Sequence, residues 1–156
     1  MNNHSLNDTD FLIQAVALAK ANVEQGGRPF GAVIVKNADV VGRGVNQILT
    51  TGDPTSHVEL NALRQAAHNL KSTSLKDCVV YASGQPCPMC LAAMRMSGIE
   101  KIVYAYSNAD AESYGLSTAL IAEKLRLDPH EQVGLNYSQL KLNLSFELYS
   151  LWKQQQ

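Results

Sequence analysis

The sequence predicts an α/β fold in which helices cover a central mixed sheet. Three features carry this expectation. The chain opens with a helical apolar period that ends on paired glycines. Two β-prone runs follow, joined by a link of hairpin length. Farther on, an apolar run, a helical stretch and a second apolar run stand in succession, an order that implies a parallel crossover.

Over Asp8–Glu24, the residues Phe11, Leu12, Ala15, Val16, Ala19 and Val23 recur at three- and four-residue spacing, and Gly26 and Gly27 follow. This is an amphipathic helix with a glycine stop, its apolar face turned to a sheet. Residues 32–35 and 40–45 are short β-prone runs. Lys36, Asn37, Ala38 and Asp39 between them have the length and residue types of an antiparallel hairpin connection. A polar loop at 49–54 leads to a helical pattern over 56–70, with Leu60, Leu63, Ala67 and Leu70 apolar. Residues 77–83 read as a buried strand, 86–96 as a helix and 101–106 as another buried strand. The remainder predicts a helix near 116–127, a short fifth strand at 140–144 and a terminal amphipathic helix ending at Trp152. No repeat or linker interrupts the pattern, so one domain over residues 1–156 is expected.

A chain of 156 residues can bury a full core without disulfides. Its 46% hydrophobic and 17% charged residues are the balance of a soluble globular protein. The net charge of -1 offers no footprint for a polyanion, so nucleic acid is not the expected partner. No apolar run reaches the ~18 residues that span a bilayer, and the polar, acidic start from Met1 to Asp10 does not read as a secretory signal. No membrane partner and a cytoplasmic location are therefore expected.

Of the three cysteines, Cys78 lies in the apolar run with Val79, Val80 and Tyr81 and reads as a small core residue. Cys87 and Cys90 are separated by two residues, which in a reducing compartment points to metal binding or redox chemistry. With His57 they make one imidazole and two thiolates, a set that suits Zn²⁺ and leaves the fourth tetrahedral position open, as in a catalytic site. Both Cys87 and Cys90 fall at a predicted helix start, where the helix dipole favours thiolate and Pro86 and Pro88 cost little. Glu59 carries two readings. It can serve acid-base chemistry beside the metal, or it can cap the helix through a Ser56/Glu59 capping box. Residues two apart on a helix point about 200° from each other, so spacing alone does not bring His57 and Glu59 together. His4, His68 and His130 have no partner pattern and read as surface residues.

The order His57-Val58-Glu59 followed by Pro86-Cys87-Pro88-Met89-Cys90 resembles the cytidine-deaminase-like superfamily, whose signature is His-x-Glu and later Pro-Cys-x-x-Cys. Within it, Pro29 to Val35, Gly44-Val45-Asn46, Asp53-Pro54-Thr55 and Ala109-Asp110-Ala111-Glu112 are similar to the small guanine and nucleobase deaminases. The resemblance implies a three-layer α/β/α sandwich with a mixed five-stranded sheet. It implies zinc on His57, Cys87 and Cys90, proton transfer by Glu59, and a small-molecule base held with Phe30, Asn46 and Asp110. The implied reaction is hydrolytic deamination, guanine and water giving xanthine and ammonia. It also implies a homodimer, for which the apolar Leu151 and Trp152 on a polar tail are suggestive. Segment 110–117 and the last helix with Glu147 are the available covers for the pocket.

The sequence departs from that group at several points. Val58 stands where most relatives have Ala, Gln85 where they have Glu, and Met96 where guanine enzymes have Trp; their acidic residue near Ser117 or Thr118 is absent. Cytosine deaminases of the fungal kind, similar over Met96-Ser97-Gly98-Ile99, and tRNA adenosine deaminases, similar over Asp53-Pro54-Thr55, stay open as alternatives. A zinc-stabilised binding module would need a fourth protein ligand, and none stands at ligand spacing.

Overall fold

The computed structural model describes residues 7–156; His4 lies outside the described residues. The described residues fall into two compact units, one up to Glu123 and the other Lys124–Gln156.

In the first unit, helix α1 (Asp8–Glu24) is opened by a reciprocal Asn7/Asp10 capping box and is followed by Gly26 at φ 87°. Strands β1 (Gly31–Lys36) and β2 (Asp39–Val45) form the expected antiparallel hairpin. Asn37 and Ala38 at its tip have φ of 50° and 67°. Positive φ at both central residues is the turn whose twist matches that of paired strands. The 49–54 loop contains a single helical turn, α2 (Ile48–Thr51), stopped by Gly52 in the left-handed conformation.

Helix α3 (Val58–Leu70) begins two residues later than the pattern predicts because His57 is extended. Strand β3 (Val79–Gly84), helix α4 (Pro88–Met96) and strand β4 (Lys101–Tyr106) follow, and β3 and β4 pair in parallel as expected. The sheet order is β2-β1-β3-β4. Side chains alternate across it. Val33, Val35 and Tyr81 pack with Phe11 of α1, while Ile34, Val80 and Ala82 pack with Ala62 and Ala66 of α3 and Cys90 and Met94 of α4. The result is three layers, helix, sheet and helices. Cys78 is buried in the second of these clusters, as predicted.

Two glycines set the spacing of α3 on the sheet. A Cβ on Gly42 would fall 2.6 Å from the carbonyl oxygen of Ala62, and one on Gly44 would meet the carbonyl oxygen of Val58 and lie 2.6 Å from the nitrogen of Ala62. Strand β2 therefore touches α3 backbone to backbone, a contact only glycine permits.

After β4 come α5 (Asn108–Glu112) and α6 (Ala119–Lys124). The latter is shorter than the predicted 116–127 helix because Thr118 donates its N–H to Asn108 Oδ1 at 3.2 Å and holds residues 116–118 out of the helix. In the second unit, a 3₁₀ turn (Pro129–Glu131) precedes α7 (Leu148–Gln154). The predicted fifth strand at 140–144 is not formed, so the sheet has four strands among the described residues. Leu140, Leu142 and Leu144 alternate as a strand would, but all three are exposed. A strand needs a neighbour for its backbone N–H and C=O groups, and this unit contains no strand to supply one. No described helix is long and apolar enough to cross a membrane.

Asp8 ties the start of α1 to the sheet. Its carboxylate accepts from the Tyr81 hydroxyl at 2.6 Å and from Lys101 Nζ at 2.9 Å. Those two bonds hold the Asp8 carboxyl below its usual range, while burial and Asp8 push the Tyr81 hydroxyl up to about 12. The depressed carboxyl adds stability that is present above its unfolded pKa and is lost as pH falls through the folded one. The raised phenol adds stability that is present below an unfolded pKa of about 10 and is lost as pH rises toward about 12. In Asp8→Asn, the ultraviolet titration of Tyr81 is expected to move part of the way back to its ordinary value and the acid limb of stability to flatten. An unmoved Tyr81 titration would mean that burial alone holds its proton.

Candidate active site

The strand register brings several chain segments to one end of the sheet. Gly31 of β1 pairs with Val45 of β2, and Ala32 with Ala82 of β3. Phe30 before β1, Asn46 after β2 and residues 85–87 after β3 therefore emerge together. Parallel pairing of Gly84 with Tyr106 adds the segment that follows β4. This is the end beyond the carboxyl ends of parallel strands, where α/β sheets commonly place ligands.

Two helices start there. His57 is the residue before α3, with φ -76° and ψ 154°, so its side chain leaves the chain ahead of the helical spiral. The 200° divergence from Glu59 does not apply to it. Cys87 holds the same position before α4, with Pro88 as the first helical residue. His57 Nδ1 lies 3.3 Å from Cys87 Sγ and 3.5 Å from Cys90 Sγ. A ligand atom from each of the three residues lies within 4.8 Å of the other two.

The donor set fits a cation. The Cys90 thiol hydrogen-bonds the Cys87 sulfur and, with the Cys90 backbone N–H and His57, lowers the Cys87 pKa to about 5 despite burial. Cys90 is held protonated by the same bond and by burial. Two sulfurs and an imidazole nitrogen, with no fourth protein donor in the group among the described residues, match a zinc site with one coordination position left for a non-protein ligand.

Glu59 is the second residue of α3 and only 4% exposed. Burial raises its pKa, partly offset by its own backbone N–H and the Cys90 thiol. The capping box is not formed. Ser56 is not the N-cap; its hydroxyl oxygen accepts from Asn61 Nδ2 at 3.1 Å. A buried carboxyl beside three metal donors has no capping duty to explain it.

Above this floor opens a cavity of about 310 Å³, at the small end for ligand pockets. Phe30 and Asn46 line it with His57, Glu59 and Cys87. The Phe30 ring is seated against Gly84, where a Cβ would lie 3.1 Å from it. Asn46 is buried, and its Oδ1 accepts the Ile48 N–H at 3.2 Å, which leaves Nδ2 as the donor for a ligand. Asp110 is placed elsewhere. Its carboxylate accepts from Ser107 N and Oγ at 2.8 and 3.0 Å in the capping box of α5. It borders an adjoining apolar cavity of about 410 Å³ that shares Phe30, Gln85 and Leu116 with the first.

Arg28, Leu116, Ser117 and Thr118 also line the pocket, as does Gln85. Arg28 and Leu116 were not marked by any motif. The one signal was adjacency: Arg28 precedes Pro29-Phe30, and Leu116 falls in the 110–117 stretch expected as a cover. Met96 is 89% exposed and not among the lining residues. Glu147 belongs to the second unit, as the N-cap of α7.

The chain belongs to the family of the cytidine and deoxycytidylate deaminase zinc-binding region, whose model matches residues 5–106. It is a zinc-binding deaminase of the α/β cytidine-deaminase-like fold. Guanine deaminase of Bacillus subtilis strain 168 is 36% identical over 149 residues, covering 95% of each chain. The crystal structure of guanine deaminase from Bacillus subtilis superposes with a TM-score of 0.87 at 35% identity, covering 96% of this chain and 95% of that one. A tRNA-specific adenosine deaminase of Aquifex aeolicus strain VF5 is 36% identical over 95 residues, 61% of this chain and 63% of that protein.

The position of His57 and Glu59 depends on how α3 sits on β2. Gly44→Ala is therefore expected to lose roughly 1–3 kcal/mol of stability, the usual cost of forcing a methyl into a packed contact, and to hold less metal. Chemical denaturation and metal analysis check both. Parent-like stability would show that the Gly44 contact does not set the helix position.

Proposed function

We propose that this deaminase acts on guanine as a free base, giving xanthine and ammonia. One observation carries the reading most: the buried carboxyl of Glu59 stands beside the His57, Cys87 and Cys90 donors at the floor of a base-sized pocket. The similarity to a guanine deaminase over 95% of the chain supports the choice of base.

In this reading His57, Cys87 and Cys90 hold zinc, which when bound supplies the Lewis acidity that makes water nucleophilic near neutral pH. Glu59 takes one proton from the attacking water and delivers it to the ring, then carries the proton left on the added hydroxyl to the departing amine. Its raised pKa brings it closer to the working pH at which a proton shuttle is efficient. Asn46 Nδ2 donates to an acceptor on the base, and Phe30 covers a ring face. Residues 115–118 help exclude water, which strengthens these polar contacts.

The protein is read as a homodimer in the cytoplasm. Support for self-association comes from the second unit, which by itself leaves Leu148, Tyr149 and Trp152 exposed. The free thiols of Cys78, Cys87 and Cys90 suit a reducing compartment. Deamination of tRNA adenosine is the second reading, favoured by the 36% identity to the Aquifex protein. The net charge of -1 argues against it, since phosphate contacts call for Lys and Arg.

Ammonia release from guanine, cytosine, adenine and a tRNA anticodon stem tests the choice, with guanine expected to be turned over fastest. A tRNA stem outcompeting every free base would contradict it. Glu59→Gln is expected to stay folded and zinc-loaded while turnover falls on the order of 10²- to 10⁴-fold; near-normal turnover would remove Glu59 from the chemistry.

A further inference from the structure

Arg28 is the unexplained charge of the pocket. It lines the same cavity as Glu59 and Cys87, yet Glu59 is buried while Arg28 is exposed. Arg28 therefore belongs to the rim and Glu59 to the floor. The Arg28 backbone is fixed, because its carbonyl oxygen accepts from Asn22 Nδ2 at 2.8 Å and from the Phe30 N–H at 2.8 Å. Pro29 after it further restricts its conformation. Its guanidinium, in contrast, makes no hydrogen bond and no ion pair among the described residues. Among the described residues Glu59 is the one carboxylate on the pocket lining, and it lies at the far end. An exposed pocket-lining residue thus carries a planar fork of five donors without an acceptor among the described residues.

The chemistry of the base supplies one. In guanine deamination the 2-amino group is replaced, so C2 must face Glu59 and the metal donors. Across the ring from C2 lie N7 and the C6 oxygen, two adjacent acceptors that then face the mouth. Arginine paired bidentately with O6 and N7 is the commonest specific contact that proteins make to guanine, and adenine breaks it by presenting an amino donor at the same edge. We propose that Arg28 reads the O6/N7 edge of a bound 6-oxopurine at the pocket mouth and so holds guanine with C2 turned toward Glu59 and the metal donors. This rests on the guanine reading for the orientation of the ring. Phe30, two residues away and on the same wall, gives the ring an aromatic face while the fork takes its edge.

The test uses the zinc-loaded full chain, with hypoxanthine and 7-deazahypoxanthine as titrants in calorimetry. Hypoxanthine keeps O6 and N7 but has no 2-amino group to lose; the deaza analogue lacks N7. Arg28→Ala is expected to weaken hypoxanthine roughly 10- to 100-fold, the range a bidentate pair provides, to weaken the deaza analogue much less, and to raise KM for guanine. Arg28→Lys keeps the charge but not the fork, and should recover only part of the loss. Equal weakening of both titrants, full recovery by lysine, unchanged hypoxanthine binding in Arg28→Ala or no hypoxanthine binding by the parent chain would each overturn the proposal. If Arg28 governs hypoxanthine binding but guanine releases no ammonia, the contact stands and the reaction assignment falls.

Discussion

The site depends on the flush contact between β2 and α3. Gly42 and Gly44 remove two side chains from the face of β2, and the backbone of α3 comes down onto the strand. A residue with a Cβ at Gly44 would strike the Val58 carbonyl and the Ala62 nitrogen, in the first turns of the helix. That end of α3 carries His57 and Glu59, whereas Cys87 and Cys90 are placed by β3 and α4. Three donors from two elements meet within 4.8 Å only when both helices start at fixed depths over the same sheet. The packing of two small residues thereby sets a coordination geometry.

Electrostatics follows from that placement. Two helix N-termini converge, and their unpaired N–H groups favour negative charge. The Cys87 thiol is lowered by hydrogen bonding from Cys90 and by His57. Glu59 sits beside the same charge but is buried, and its carboxyl is driven the other way. Cys87 is pushed toward its anion, while Cys90 and Glu59 are pushed toward their protonated forms.

Much of this was legible in the chain. The glycine stop after Glu24, the hairpin at Asn37-Ala38 and the strand-helix-strand order around Cys87 are local signals, and the structure follows them. The cluster of His57, Cys87 and Cys90 was legible because its residue types and spacing are chemically restrictive. Other features depend on contacts that no local pattern encodes. Ser56 and Glu59 match a capping box, yet His57 takes the cap because the chain stays extended through it. Leu140, Leu142 and Leu144 alternate like a strand, but a ladder needs a partner and their own unit has none. Asp110, expected to hold the base by resemblance, closes the first turn of α5 with Ser107, a contact its motif does not show. Arg28 could not be assigned from sequence, since its position at the rim arises only when the β1-β2 and β1-β3 registers bring Phe30 and Asn46 to the same sheet end.

The central claim is that two thiolates and one imidazole from two helix starts hold a single zinc ion with a position left for a non-protein ligand. X-ray absorption at the zinc edge, on protein purified without chelator, addresses it most directly. The account predicts one zinc per chain, with two sulfur neighbours, one histidine nitrogen and one further light atom that exchanges when a competitive ligand is added. A fourth sulfur or histidine neighbour, or protein that folds and turns over its base with no zinc bound, would contradict it.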